Sequence, residues 1–377
     1  MINLLRIIDE VVIVTEDIRQ SKKVKYPLKE LLLQSLLAVL SGMETYEEIT
    51  LYGTMKIDFL RRFYPFYCGV PSEPTLCRFF SWVDPNCFLQ ILMAWVKVLS
   101  PNLHDKLIAI DGKTIRGSHD GFVRPVHVLS AFSADTKLVI GHLKVEEKTN
   151  EISMLPDLIE MLDVEGAIVS LDAMGTQRIV AEKILAKKGD YLLALKGNQG
   201  NLEKDTKELF ESMVSNKTDY HVEAFTETIA NGSRVETRHY MVTDNIIRLQ
   251  VLHDWFGLKS VIKVDRKREF KNGKNAGKLT ETETAYYLCS RVLSAEQVAG
   301  YVRGHWGIEN SLHHVLDVSY NEDRSRIRKE NAAENMNILR KITTNMIRTV
   351  KDKKSFKYHR KALLLNDNAV LKLIHNS

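Results

Sequence analysis

The sequence predicts an α/β fold: a sheet, at least partly parallel, with helices on its faces, preceded by a helical region and interrupted by a β-patterned stretch. Two runs carry most of this expectation. Leu107-Ile108-Ala109-Ile110 and Ala167-Ile168-Val169-Ser170-Leu171 are largely apolar, have strand length, and each ends on an aspartate, Asp111 and Asp172. The third observation is order. From residue 105 the pattern reads strand, hairpin, helix, strand, helix, strand, which implies a sheet covered by helices.

Taken in order, residues 1–100 read as mostly helical. A long apolar helix over 31–40 follows Tyr26-Pro27-Leu28, and Gly42 can end it. Pro71-Ser72-Glu73-Pro74-Thr75 breaks the chain, and short helices with core aromatics such as Phe79, Phe80, Phe88 and Trp95 follow. Residues 126–133 and 138–145 read as a hairpin joined by Ala134-Asp135-Thr136-Lys137. Leu155, Leu158, Ile159 and Leu162 recur at helical spacing, with Ser153 as a cap and Pro156 in the first turn. A helix containing Ile179, Val180 and Ile184 closes at Gly189, and residues 191–195 form another buried strand. Residues 200–290 change to alternating β patterns, with a turn at Asn272-Gly273-Lys274 between strands over 259–270 and 281–289. Ser294 and Gln297 then make a capping box for a long helix. The domain organisation expected is 1–100, a core of 101–199 and 291–350, the 200–290 insertion within it, and a basic tail over 351–377.

Composition is that of a globular protein, 44% hydrophobic and 27% charged over 377 residues. The longest apolar stretch, 31–43, contains Gln34 and Ser35 and is too short to span a bilayer, so no membrane association is expected. Asp9 and Glu10 and the lack of a cleavage site argue against a signal peptide. Cys68, Cys77, Cys87 and Cys289 lie far apart and form no Cys-x-x-Cys pair, so neither a zinc ribbon nor a disulfide framework is indicated, and a reduced, cytoplasmic setting fits. The net charge of +5 is unevenly spread. Residues 323–361 hold 13 Lys/Arg against 4 Asp/Glu, a net of +9 that leaves −4 for the rest. Residues 263–278 add a second basic cluster, 7 against 2. Such clustering suggests a polyanion partner, the alternative being solvated basic faces.

The chemistry is expected where strands end. Adjacent parallel strands would bring Asp111 and Asp172 together, and like charges held close share a proton or bind a cation; the alternative is that each only caps a turn. Glu309 falls on the helical stripe of Val302, His305, Leu312 and Leu316, so it is expected to point inward, where a bare charge needs a partner. A cation held with the two aspartates would serve, as would an ion pair with Arg303 or His305. Three carboxylates make a hard oxygen site suited to magnesium or manganese. Two such ions about 4 Å apart serve phosphodiester chemistry. His313 and His314 lack a His-Glu-x-x-His arrangement, so zinc is not expected.

At these residues the chain resembles the DDE transposases of bacterial insertion sequences, in particular the H-repeat-associated group linked to Rhs elements. The segments that carry the resemblance are Asp17-Ile18-Arg19 with Tyr26-Pro27-Leu28, Ile108-Ala109-Ile110-Asp111-Gly112-Lys113-Thr114, Leu171-Asp172-Ala173-Met174-Gly175, Leu195-Lys196-Gly197-Asn198-Gln199, and His305-Trp306-Gly307-Ile308-Glu309-Asn310-Ser311-Leu312-His313 continuing to Leu316-Asp317-Val318. Asn321-Glu322-Asp323, Arg326 and Asn331-Ala332-Ala333-Glu334 extend it, so that it covers nearly the whole chain.

The resemblance implies a ribonuclease-H-like core with a β-rich insertion before the glutamate helix, and a helical N-terminal domain that contacts DNA. It implies Asp111, Asp172 and Glu309 as the catalytic and metal-binding residues, with Mg2+ or Mn2+ as cofactor. The activity implied is cleavage of transposon ends and transfer of the strands to target DNA, by a homodimer or larger assembly on DNA. Lys113, Arg116, Lys196, Asn198, His305, Arg324, Arg326 and Arg328 are the expected DNA contacts. Many related transposases carry a Tyr, Arg, Glu, Lys signature around the glutamate. Here Tyr301 is one residue off that spacing, His305 stands in place of Arg, and Leu316 in place of Lys. Two rival readings are a nuclease that cleaves without joining and a transposon-derived DNA-binding protein without activity.

Overall fold

The computed structural model describes residues 4–376 apart from 101, 120, 122–123, 147–148, 216–220, 248, 250–254 and 273–276. The helices are α1 (Leu4–Val14), α2 (Leu28–Leu40), α3 (Tyr46–Met55), α4 (Ile57–Leu60), α5 (Glu73–Trp82), α6 (Pro85–Leu99), α7 (Glu151–Met161), α8 (Arg178–Ala186), α9 (Gly200–Ser215), α10 (Ala295–His305), α11 (His314–Ser319), α12 (Ala332–Arg348), α13 (Phe356–Leu365) and α14 (Asp367–Asn376). The strands are β1 (Leu107–Thr114), β2 (His127–Ser133), β3 (Val139–Val145), β4 (Ile168–Leu171), β5 (Asp190–Leu195), β6 (Glu223–Asn231), β7 (Arg234–Thr243), β8 (Ser260–Phe270) and β9 (Glu283–Cys289). The fold is therefore mixed α/β with a helical N-terminal region, the class the sequence predicts. Among the described residues no helix is long and apolar enough to cross a membrane.

The chain divides into two compact units. One comprises Met1–Asn102, Gly112–Asn150 and Glu309–Ser377, and the other Leu103–Asp111 and Glu151–Ile308.

In the first unit α2 is buried along nearly its whole length, and Gly42 (φ 102°) ends it in the left-handed conformation that suits glycine. The helix α12 lies against α2, α5, α6 and β3, and is buried from Ala332 to Ile347. Half of what it buries is polar, and burial without partners would be costly. Asn345 meets the β3 backbone twice: its Oδ1 accepts the Val139 amide at 2.9 Å, and its Nδ2 donates to the Val139 carbonyl at 2.8 Å. Asn335 donates to the carbonyls of Phe80 and Val83, each at 2.9 Å. Lys341 donates to Ser130 Oγ at 2.8 Å and lies 2.7 Å from His142 Nδ1. Arg340 pairs at 3.3 Å with Glu322, which also accepts from Asn337 at 2.8 Å. β2 and β3 form the expected antiparallel hairpin. Residues 356–376, within the stretch read as a basic tail, form α13 and α14.

The second unit is a sheet in the order β1-β4-β5-β9-β8-β7-β6. β1, β4 and β5 are parallel, and the pairs from β5 to β6 are antiparallel. The parallel strands are buried on both faces, which is why they read as continuous apolar runs.

Three local expectations are corrected. α7 begins at Glu151, two residues before Ser153, which therefore lies within the helix, and Pro156 sits inside it beyond the first turn. At the end of α8 the left-handed residue is Lys188 (φ 58°), and Gly189 is needed for closeness, since a Cβ there would lie 2.9 Å from the Val164 carbonyl. Residues 200–215, read as part of a β-patterned stretch, are the helix α9, because Leu202, Thr206, Leu209, Phe210 and Met213 recur at helical spacing and are buried. In the turn read at Asn272-Gly273-Lys274, Gly273 and Lys274 lie outside the described residues.

Burial pushes the Lys341 ammonium down to about 7, against the opposing pull of Glu322 and Glu334. Lysine in an unfolded chain titrates near about 10.4. The unfolded state thus binds more protons between these values, so this group makes stability rise with pH from about 7 to 10.4, with its full cost present below that window. Urea unfolding midpoints measured across pH 7 to 10 should show the rise, and Lys341→Met should flatten it.

Candidate active site

Asp111, which lies within β1, and Asp172, which directly follows β4, stand on neighbouring strands of the second unit. β1 and β4 pair in parallel with Ala109 opposite Ser170, and the same register carried two residues further brings Asp111 level with Asp172. Adjacent strands lie about 4.8 Å apart. Both aspartates are half-buried, just beyond the fully buried runs of β1 and β4.

The turn after Asp172 is tightly specified. Asp172 Oδ1 accepts the Gly175 amide at 3.0 Å, and the Thr176 hydroxyl bonds the carbonyls of Asp172 at 3.1 Å and Ala194 at 2.6 Å. Beyond β5, Asn198 donates to the Ala173 carbonyl at 2.5 Å and Gln199 to the Thr176 carbonyl at 3.1 Å. The Leu195-Lys196-Gly197-Asn198-Gln199 segment therefore clamps the loop that carries Asp172. Asn198, read as a DNA contact, has its amide turned to this loop, while Lys196 is exposed. A Cβ at position 175 would lie 2.7 Å from Leu171 Cδ2, so glycine is required there.

His305, at the end of α10, also reaches β4. Its Nδ1 lies 2.9 Å from Ser170 Oγ. Burial pushes the imidazole down to about 4 against the pull of Asp172, so the ring is neutral at neutral pH. His305, read as a DNA contact, is thus held against β4 through Ser170.

Glu309 belongs to the first unit and opens a π-helical turn, Glu309–His313. This corrects the expected inward-facing stripe. The wider turn shifts the angular position of the residues beyond it, so Leu312 does not fall on the face of Glu309. Its side chain is 57% exposed, whereas that of His313 is 5% exposed, and His313 Nδ1 lies 2.8 Å from Glu309 Oε2. Burial lowers the His313 pKa, and Glu309 counteracts it.

Also in the first unit, Lys113 is nearly buried among carboxylates: Asp317 at 2.6 Å, Asp323 at 3.4 Å and Glu322 at 3.5 Å. Burial would lower its pKa, but Glu322, Asp317 and Asp323 outweigh it and hold the ammonium charged. Glu322 is fully buried, and Arg340 and Lys113 keep it ionised despite burial. The ammonium expected to meet phosphate is thus engaged by three carboxylates. That cluster was legible only in part: a lysine continuing a buried strand needs a buried counter-charge, but nothing local names which. Arg116, Arg324 and Arg326 are exposed, and Arg116 lies 3.8 Å from Asp323. Arg328 is half-buried and donates to the Gly117 carbonyl at 2.9 Å.

The Asp111 and Asp172 pair offers oxygen donors, which hard divalent cations such as magnesium prefer, and the paired charge favours a cation. The residues fit such an ion. Because the loop behind Asp172 is packed on Leu171, Gly175→Ala should destabilise the protein by about 1 to 3 kcal/mol, read as a lower urea midpoint.

A family model described as "Transposase DDE domain" matches residues 102–346, and one described as "DDE_Tnp_1-associated" matches residues 11–96. YncI of Escherichia coli O157:H7, provisionally named a transposase, is 38% identical over 358 residues, covering 94% of this chain and 90% of that protein. YhhI of Escherichia coli (strain K12), provisionally named an H repeat-associated transposase, is 38% identical over 335 residues, 88% of this chain and 87% of that one. A solved piggyBac transposase synaptic complex with hairpin DNA matches with a TM-score of 0.45 at 12% identity, over 99% of this chain and 78% of that one, a likeness too distant to assign residues. With a transposase model over more than half its length and relatives at 38% identity across about nine-tenths of it, the chain belongs to the DDE transposases, within the H repeat-associated group.

Proposed function

We propose that this protein cuts the ends of an insertion sequence and joins the freed 3′ hydroxyls to target DNA, with Asp111, Asp172 and Glu309 as its catalytic carboxylates. The observation that carries the reading is the level register of Asp111 and Asp172 on adjacent parallel strands, in a chain of the DDE transposase family. Glu309 joins them as the glutamate of the matched segment, exposed at the start of a π turn, an irregularity often found at functional sites.

The three side chains would hold divalent magnesium or manganese. Such ions, when bound, lower the pKa of the attacking water or hydroxyl and offset charge on the phosphate in flight. The protein's own part is to fix the donors. The Gly175 amide orients one oxygen of Asp172, Asn198 and Gln199 brace the turn, and Ser170 with neutral His305 packs beside it. His313 orients Glu309. The region matched by the associated-domain model is proposed to contact DNA, together with exposed Arg116, Lys196, Arg324 and Arg326. The working form is taken to be a homodimer or larger assembly on DNA in the cytoplasm.

Asp111→Asn, Asp172→Asn and Glu309→Gln keep shape but place an amide nitrogen where a cation needs oxygen. Each alone should slow donor-end cleavage in magnesium by about a thousandfold or more, and double variants should be scarcely worse. Gel shifts of the same variants should show DNA binding retained, since losing negative charge does not weaken it. Near-parental cleavage by any of them would remove that residue from the mechanism. Cleaved ends without joined product from the parent protein would instead identify a nuclease, and bound DNA without cleavage an inactive relative.

A further inference from the structure

Within the first unit a cavity of about 370 Å³ opens beside the turn that carries Glu309, with Asn310 and Ser311 in its wall. The rest of its lining is unusually basic: Lys137, Arg348, Lys351 and Lys354, with Asp352 and His359. The single carboxylate is already engaged, accepting the Lys354 amide at 2.8 Å and lying 2.9 Å from His359 Nε2. Four cations therefore line the cavity against one carboxylate that already has partners.

Arg348 gives the pocket a built anchor. Its guanidinium sits 5.2 Å from the Phe132 ring centroid and 5.6 Å from that of Phe356, and its Nη2 donates to the Ser311 carbonyl. Its Nη1 is buried and has no hydrogen-bond partner among the described residues. That nitrogen is covered, so what the guanidinium offers the cavity is its fixed positive charge. A planar guanidinium already held by aromatic rings loses little freedom on binding and suits phosphate geometry. Lys351 and Lys354 are exposed on the segment just after α12, placed to reach neighbouring charges on a polyanion.

We propose that this pocket is a phosphate-binding site for the backbone of duplex DNA, with Arg348 as the anchor and Lys137, Lys351 and Lys354 as flanking contacts, gripping the strand next to Glu309. The proposal rests on the transposase reading for its choice of polyanion. It concerns binding alone, so it stands or falls separately from catalysis.

The test is fluorescence anisotropy of a 20-base-pair duplex of arbitrary sequence with the full chain, titrated in EDTA at several salt concentrations, about 50 to 200 mM. The double variant Lys351→Gln/Lys354→Gln removes two charges from exposed positions and should leave folding intact. It should weaken binding about tenfold and lower the slope of log affinity against log salt by about two, one for each phosphate no longer neutralised. Lys353→Gln/Lys357→Gln removes the same charge from exposed positions on the same segment outside the pocket, and should change neither quantity appreciably. Arg348→Gln should weaken binding at least as much as the lysine pair. Equal effects of the two lysine pairs would overturn the proposal, because general surface charge would then suffice. An unchanged salt slope for Lys351→Gln/Lys354→Gln would overturn it as well. Loss of donor-end cleavage plays no part in either outcome.

Discussion

The carboxylate end of the second unit depends on the pairing of Ala109 with Ser170. A slip of one residue would turn Asp111 to the opposite face of the sheet and separate it from Asp172. Because β1 and β4 are buried on both faces, alternation of polar and apolar residues cannot set this register. The ends of the strands do it instead. The Ile168 amide donates to the Lys106 carbonyl, and the Asp105 amide to that of Gly166, each at 2.9 Å. Gly166 adopts φ 70°, and a Cβ there would meet the His104 ring at 2.2 Å, so the chain entering β4 fits only as glycine. Arg291 ties Asp105 at 2.7 Å and Asp190 at 2.8 Å, joining the beginnings of β1 and β5.

Charge is the second organising constraint, and it acts inward as much as outward. The excess of lysine and arginine over residues 323–361 suggests a polyanion surface when counted along the chain. Arg340, Lys341 and Arg360 are nonetheless buried. Arg360 lies 4.1 Å from the Tyr320 ring centroid, pairs with Glu44 at 2.6 Å and donates to the Val39 carbonyl. Breaking such a pair by removing one partner strands the other charge, at a cost of about 3 to 5 kcal/mol. The cations left to meet DNA are those on loops and helix surfaces, a smaller set arranged by the fold.

Close approach explains one loop and a left-handed turn another. At Gly117 a Cβ would lie 2.1 Å from the Ser325 carbonyl, so the segment leaving β1 passes directly over the stretch that holds Glu322 and Asp323. That packing, with the Arg328 to Gly117 hydrogen bond, holds the segment after Lys113 against its carboxylate partners. Asn321 turns the chain in the left-handed conformation at φ 53°, which asparagine tolerates better than most residues.

The α/β class, the two buried strands that carry the aspartates, the β2–β3 hairpin and the Ser294–Gln297 capping box could be read directly, because each is written in consecutive residues or in a short period; that β1 runs on past Asp111 to Thr114 could not. The family could be read too, since its motifs lie in contiguous segments around Asp111, Asp172 and Glu309. Helix α9 was hidden because its buried positions, Leu202, Thr206, Leu209, Phe210 and Met213, sit among charged residues with low overall hydrophobicity. That Leu312 leaves the face of Glu309 was hidden for a different reason: one π turn resets the face of a helix without leaving any mark in the spacing of apolar residues. Sequence alone determined which carboxylates and cations the protein owns. Tertiary structure decided which are spent on one another, because Lys113 with Asp317, Glu322 and Asp323, and Lys341 with His142, pair across roughly 200 residues of chain, and at that separation only packing chooses the partner.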